Sequence, residues 1–94
     1  MIVRVIVPQA LTEFADGRSE LALDLAGQPT VHDVVAALAE PYPALARRVV
    51  DETGQLRRFV NVYVGTEECR RHGGLAVVIP EGTAVHIIGS IAGG

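Results

Sequence analysis

Glu20-Leu21-Ala22-Leu23-Asp24-Leu25, then Gly27-Gln28-Pro29, then Thr30-Val31-His32-Asp33-Val34-Val35 is the stretch on which the fold turns. Within it the apolar period changes from two to nearly four. Leu21, Leu23 and Leu25 alternate with polar or small residues, so they share one face of a half-buried strand. Gly27-Gln28-Pro29 breaks that strand. Thr30 stands three residues before Asp33, a capping box with Asp in the usual Glu position. Val31, Val34, Val35 and Leu38 then recur at i, i+3, i+4 and i+7, which places one apolar stripe on a helix. Pro41 ends it, because the residue before a proline avoids the helical region.

Upstream, Ile2-Val3-Arg4-Val5-Ile6-Val7 is β-branched at five of six positions and stops at Pro8, which predicts a strand. The turn residues Ala15-Asp16-Gly17 make it the first arm of a hairpin with a long loop. Downstream, Pro43 to Val50 predicts a second short helix with Leu45 and Val49 facing inward, and Asp51 to Gln55 a polar loop. Phe59-Val60-Asn61-Val62-Tyr63-Val64 is the clearest later strand. Gly65 to Glu68 is a turn, Cys69 to Gly74 is irregular, and Leu75 to Ile79 is a short apolar piece. Pro80-Glu81-Gly82-Thr83 turns the chain into a last strand, Ala84 to Ile88.

Two strands, a long helix and further strands, with the helix crossing one sheet face, describe an α+β β-grasp. The expectation is a mixed sheet of four to five strands with one main helix packed on one face. The last strand then lies centrally beside the first. Ninety-four residues suffice for a single domain, 1–94, with residues 90–94 as a mobile tail. Aromatics are only 4% of the chain, so the core must be built from Val, Leu, Ile and Ala.

The formal net charge of −3 argues against nucleic acid as a partner, since phosphate binding needs a basic footprint. All eight basic residues are arginine, and the single cysteine, Cys69, excludes an internal disulfide. No stretch approaches the length of a membrane span, and the start lacks a signal-peptide pattern. A cytoplasmic location follows as an expectation. His32, His72 and His86 lack ligand spacing, so no metal site is expected. Cys69 beside Arg70-Arg71 invites a thiol role through a lowered pKa, but a lone cysteine reads first as a packing residue. Gly73-Gly74 reads as a loop, and the pairs Arg47-Arg48, Arg57-Arg58 and Arg70-Arg71 read as solvated, some of them able to steer an acidic partner.

Strand alternation also selects a docking face. With Val60, Val62 and Val64 toward the helix, Phe59, Asn61 and Tyr63 point away, joined by Ile2, Ile6 and Ile88. An apolar face with polar insertions marks a protein interface unless another segment, Cys69 to Ile79, covers it.

The sequence closes on Gly93-Gly94, whose carboxylate sits on an arm with no side chains at its last two positions. Taken with Arg58 to Val64, Gly73-Gly74-Leu75-Ala76, Pro80 to Thr83 and Ile91-Ala92-Gly93-Gly94, this end resembles the ubiquitin-like sulfur carriers of the ThiS/MoaD family, and within it the CysO type. The resemblance spans the whole chain and is most specific in its second half. It implies a protein co-substrate rather than an enzyme. A ubiquitin-activating-type adenylyltransferase/sulfurtransferase would use ATP to adenylate the carboxylate of Gly94 and convert it to a thiocarboxylate, with Gly93 giving clearance. No cofactor is implied on the carrier itself. Phe59, Asn61, Tyr63, Ile88, Ile91 and Ala92 would bind the partners.

For the CysO type the resemblance implies cysteine biosynthesis, with a PLP-dependent cysteine synthase as acceptor and a metal-dependent hydrolase restoring the tail. A MoaD-like role in molybdopterin synthase, or delivery to thiamin or another sulfur metabolite, stays open. The paired prolines of many MoaD-type tails are absent at Gly89-Ser90, which favours the CysO type, although that type also often has proline near this point. A β-grasp interaction module that is never activated is the alternative of another class.

Overall fold

The computed structural model describes residues 1–89. Its five strands are β1 (Ile2–Ile6), β2 (Glu20–Asp24), β3 (Val60–Val64), β4 (Glu67–Glu68) and β5 (Val85–Gly89), in sheet order β2-β1-β5-β3-β4. Two helices, α1 (Val31–Ala39) and α2 (Pro43–Val49), pack on one side. This is the expected α+β β-grasp. β5 lies parallel to β1, with Val5 opposite Val85, and antiparallel to β3, with Val62 opposite Ile87. The last strand is therefore held on both sides, and its end, Gly89, stands opposite Val60 at the start of β3.

The capping box of α1 forms as its sequence predicts. The Thr30 hydroxyl accepts from the Asp33 N–H at 3.2 Å, while the Asp33 carboxylate accepts from the Thr30 N–H at 2.8 Å. The Thr30 N–H and then the Thr30 hydroxyl, which donates to the same carboxylate oxygen at 3.1 Å, hold the Asp33 carboxyl below its ordinary pKa. Val31, Val34, Val35 and Leu38 are all buried, so the stripe faces the sheet. In α2, Pro43 occupies the first turn, where a missing N–H costs nothing, and Leu45 and Val49 are fully enclosed. The core facing them is Val3, Val5, Val7, Leu21, Val60, Val62, Val64, Val85 and Ile87.

Three local features depart from expectation. The β1–β2 connection is not merely a loop. Gln9–Ala15 forms a 3₁₀ helix that ends on Asp16 in the left-handed region at φ 55°. Leu11 and Phe14 pack on the core there, and the Arg48 guanidinium lies 4.4 Å from the Phe14 ring centre. Glu67–Glu68, expected as turn, pairs with Tyr63 and Val64 as β4. Gly65, at φ 62°, makes the tight link between β3 and β4, and a Cβ there would come within 3.2 Å of Thr83. The stretch after β4 contains two short 3₁₀ turns, Cys69–Arg71 and Gly74–Ala76.

Candidate functional site: the open sheet face

Alternation along the strands leaves the sheet with one face against the helices and one without a covering layer. The register shows which residues meet on the open face. Glu20 lies opposite Ile6, Ile6 opposite His86, His86 opposite Tyr63, and Tyr63 opposite Glu68. This row crosses all five strands, with apolar and aromatic residues inside and a carboxylate at each margin. The next row toward the end of β5 pairs Asn61 with Ile88. Phe59 extends the group just before β3. Phe59 is 49% exposed and Ile88 45%.

Ile2 belongs elsewhere. It is 57% exposed but pairs with Asp24, four residues along β1 from Ile6, with the Arg4–Ala22 pair between them. At about 3.4 Å per strand residue that is roughly 14 Å. The apolar group is thus concentrated where β5 ends, and Ile2 is an outlier at the opposite margin.

Cys69 to Ile79, the segment that could have covered this face, runs along the helix layer. The Val31 N–H donates to the Val77 carbonyl at 3.0 Å and the Ile79 N–H to the Pro29 carbonyl at 2.8 Å. Ile79 is buried among core residues. Cys69 is wholly buried too, and burial pushes its thiol pKa up, a larger effect than the opposing charge of Arg70. The Arg70-Arg71 environment therefore does not activate it, and packing is its role.

Arg70 corrects another expectation: its side chain is not simply solvated. The guanidinium donates to the Arg57 carbonyl at 3.0 Å and the Val60 carbonyl at 2.7 Å. β4 spans only two residues, so the first half of β3 has no strand on that side. Arg70 supplies the donor that a longer β4 would have given. Sequence reading had no periodic signal for this bond, which depends on the brevity of β4. His32 and His72 are exposed and His86 lies in the central row. Among the described residues no cluster of His, Cys, Asp or Glu could hold a metal ion, and no helix is long and apolar enough to cross a membrane.

Of the partner-binding candidates, the structure brings Phe59, Asn61, Tyr63 and Ile88 together. Ile91 and Ala92, with the reactive-end candidates Gly93 and Gly94, lie outside the described residues. What the structure fixes is the root from which they continue, at the centre of the sheet and beside the open apolar group.

A five-stranded mixed sheet with a central parallel last strand and an open face defines a ubiquitin-like β-grasp protein. The ThiS family model matches residues 5–94. The sulfur carrier protein CysO of Mycobacterium tuberculosis is 35% identical over 96 residues that take in the whole of both chains. A chain in the crystal structure of the Amycolatopsis orientalis BexX/CysO complex has a TM-score of 0.82 at 30% identity, covering 98% of this chain and 99% of that one. SAMP1 of Haloferax volcanii has a TM-score of 0.82 at 26% identity over the full length of both. The chain belongs to the ThiS family of ubiquitin-like sulfur carriers, and its likeness to the CysO type extends from end to end.

Proposed function

We propose that this protein is a protein co-substrate, not itself an enzyme, whose Gly94 carboxylate is adenylated and then converted to a thiocarboxylate. The observation that carries this reading is the end-to-end likeness to a sulfur carrier of the CysO type. The geometry of the described part supports it. β5 is laddered to β1 at Val85 and His86 and to β3 along its whole length, so the arm leaves from a paired strand, and the apolar group sits where it leaves.

The chemistry divides between carrier and partner. A carboxylate is a poor electrophile, and adenylation by an ATP-dependent activating enzyme gives it a leaving group. Sulfur then replaces AMP, and the C–O bond to phosphate becomes a C–S bond. The resulting thioacid is ionised at neutral pH and is a strong nucleophile. The carrier needs no general base and no cofactor of its own. From Gly89 onward the five remaining residues can reach about 17 Å when extended, at about 3.4 Å each, enough to enter a pocket while the body stays outside. Phe59, Tyr63 and Ile88 hold the body against the partner. The proposed acceptor is a PLP-dependent cysteine synthase in cysteine biosynthesis, followed by a metal-dependent hydrolase that restores the tail.

Intact-mass measurement after incubation with ATP, an activating enzyme and a sulfide source tests the carrier step. A gain of about 16 Da, one oxygen replaced by sulfur, is expected, and its loss on deletion of Gly94 follows. An unchanged mass with a competent enzyme would leave an interaction module that is never activated.

A further inference from the structure

Six of the eight arginines fall between positions 47 and 71 in a chain whose net charge is −3. They are not equally engaged. Arg71 pairs with Glu68 at 3.4 Å, the one arginine–carboxylate pair among the described residues. Arg48 lies over Phe14. Arg57 and Arg70 are held instead by neutral acceptors: Arg57 donates to the Arg47 carbonyl, and Arg70 to the carbonyls of Arg57 and Val60. Such bonds fix a guanidinium in place without neutralising it. Arg58 lies 5.5 Å from the Phe59 ring centre, which also leaves its charge intact.

Arg57, Arg58 and Arg70 line a single recess of about 560 Å³ with Leu56, Phe59 and Val60. Among the described residues Asp51 is the only carboxylate at its wall. Its Oδ1 accepts from the Thr53 hydroxyl at 2.6 Å, the Thr53 N–H at 2.8 Å and the Gln55 N–H at 3.1 Å. Those bonds, the Thr53 hydroxyl first, and to a smaller extent the charge of Arg57 hold its carboxyl below the ordinary range. Three fixed or stacked cations therefore face one anion among the described residues, which leaves the wall net positive.

We propose that this recess is the electrostatic half of the docking surface and receives an acidic patch, Asp or Glu side chains, on the protein that activates the tail. The inference rests on the carrier reading for the identity of that partner. Charge complementarity selects the chemistry, because guanidinium forks match carboxylates. Continuity selects a protein surface: Phe59 belongs both to the recess and to the open apolar group, so one partner face can cover the two together. An apolar centre with a charged margin is the usual anatomy of such an interface, and the margin chiefly sets association rate and salt dependence.

The test compares Arg58→Glu with Arg18→Glu, which changes net charge equally but does not line the recess. Binding of each to a ubiquitin-activating-type enzyme that activates the wild-type protein is followed from about 50 to about 300 mM NaCl. Arg58→Glu is expected to slow association about tenfold at low salt, with the difference fading as salt rises, while Arg18→Glu stays within about twofold of wild type. Equal effects of the two reversals would overturn the proposal, since only net charge would then matter. So would unchanged binding by Arg58→Glu. Sodium phosphate at matched ionic strength is the further arm. Release by phosphate with no response to chloride would place a free anion in the recess and also overturn it. The wild-type mass gain judges the carrier reading separately, so the two failures are distinguishable.

Discussion

The same strands present two faces of opposite character. On the helix side, Val3, Val5, Val62, Val85 and Ile87 are essentially without exposure; on the other, Phe59 and Ile88 keep nearly half of theirs. Both sets are apolar, so composition does not separate them. What separates them is a partner: α1 and α2 cover one face, and no described segment covers the other. The covered face carries the stability of the domain, and the open face retains apolar area available to a second protein. Mutations on the two faces should therefore report on different properties.

The largest effect is expected on the covered side. Leu38→Ala removes a fully buried side chain of α1, and denaturant unfolding should show a loss of about 2–5 kcal/mol. A loss under about 1 kcal/mol would mean that the helix layer is not a stabilising cover of the sheet. Next come Phe59→Ala and Tyr63→Ala on the open side. Each should weaken docking to the activating enzyme by about tenfold or more, or about 1.4 kcal/mol, while unfolding free energy changes by less than that. Equal adenylation kinetics in wild type and variants would erase the functional difference between the faces.

A smaller effect is expected where the covering helix begins. Thr30→Ala removes the acceptor for the Asp33 N–H and should cost about 1 kcal/mol in unfolding experiments. Smallest is the pH response of the same box. The folded pKa of Asp33 is depressed, so its contribution is present above the ordinary value of 3.8 and is lost as pH falls through the lower folded value. The melting-temperature gap between wild type and Asp33→Asn should accordingly narrow on acidification below that point. A gap that widens would give the box the wrong sign.

The elements with several periodic residues were legible in the sequence. Leu21-x-Leu23-x-Leu25 and Val31/Val34/Val35/Leu38 each repeat a spacing often enough to fix both type and face. The Thr30/Asp33 box was legible because both partners of a reciprocal bond are visible in the sequence. Shorter devices were not. β4 offers two residues, too few for any period, and its glutamates read as turn. Gln9–Ala15 carries Leu11, Phe14 and Ala15 at i, i+3 and i+4, a usable signal that the adjoining turn residues obscured. For the site, alternation placed Phe59, Asn61, Tyr63 and Ile88 on one face. Only the parallel register of β1 with β5 could show that Ile2 lies apart from them. The role of Arg70 depends on where β4 stops, a tertiary fact with no local signature.

The central position of β5 has a consequence for synthesis. The β1–β2 hairpin and the β3–β4 hairpin have no ladder between them, and β5 joins one to the other. A ribosome reaches that joining strand only after the other four have been made. Until then the emerging chain holds two separate hairpins and an unclosed sheet, exposing apolar surface that chaperones and proteases can engage. Closure depends on contacts of long sequence separation, such as Val5 with Val85, which form slowly. A premature stop before residue 85 would then yield a chain without its central strand, subject to degradation before it could compete for the activating enzyme.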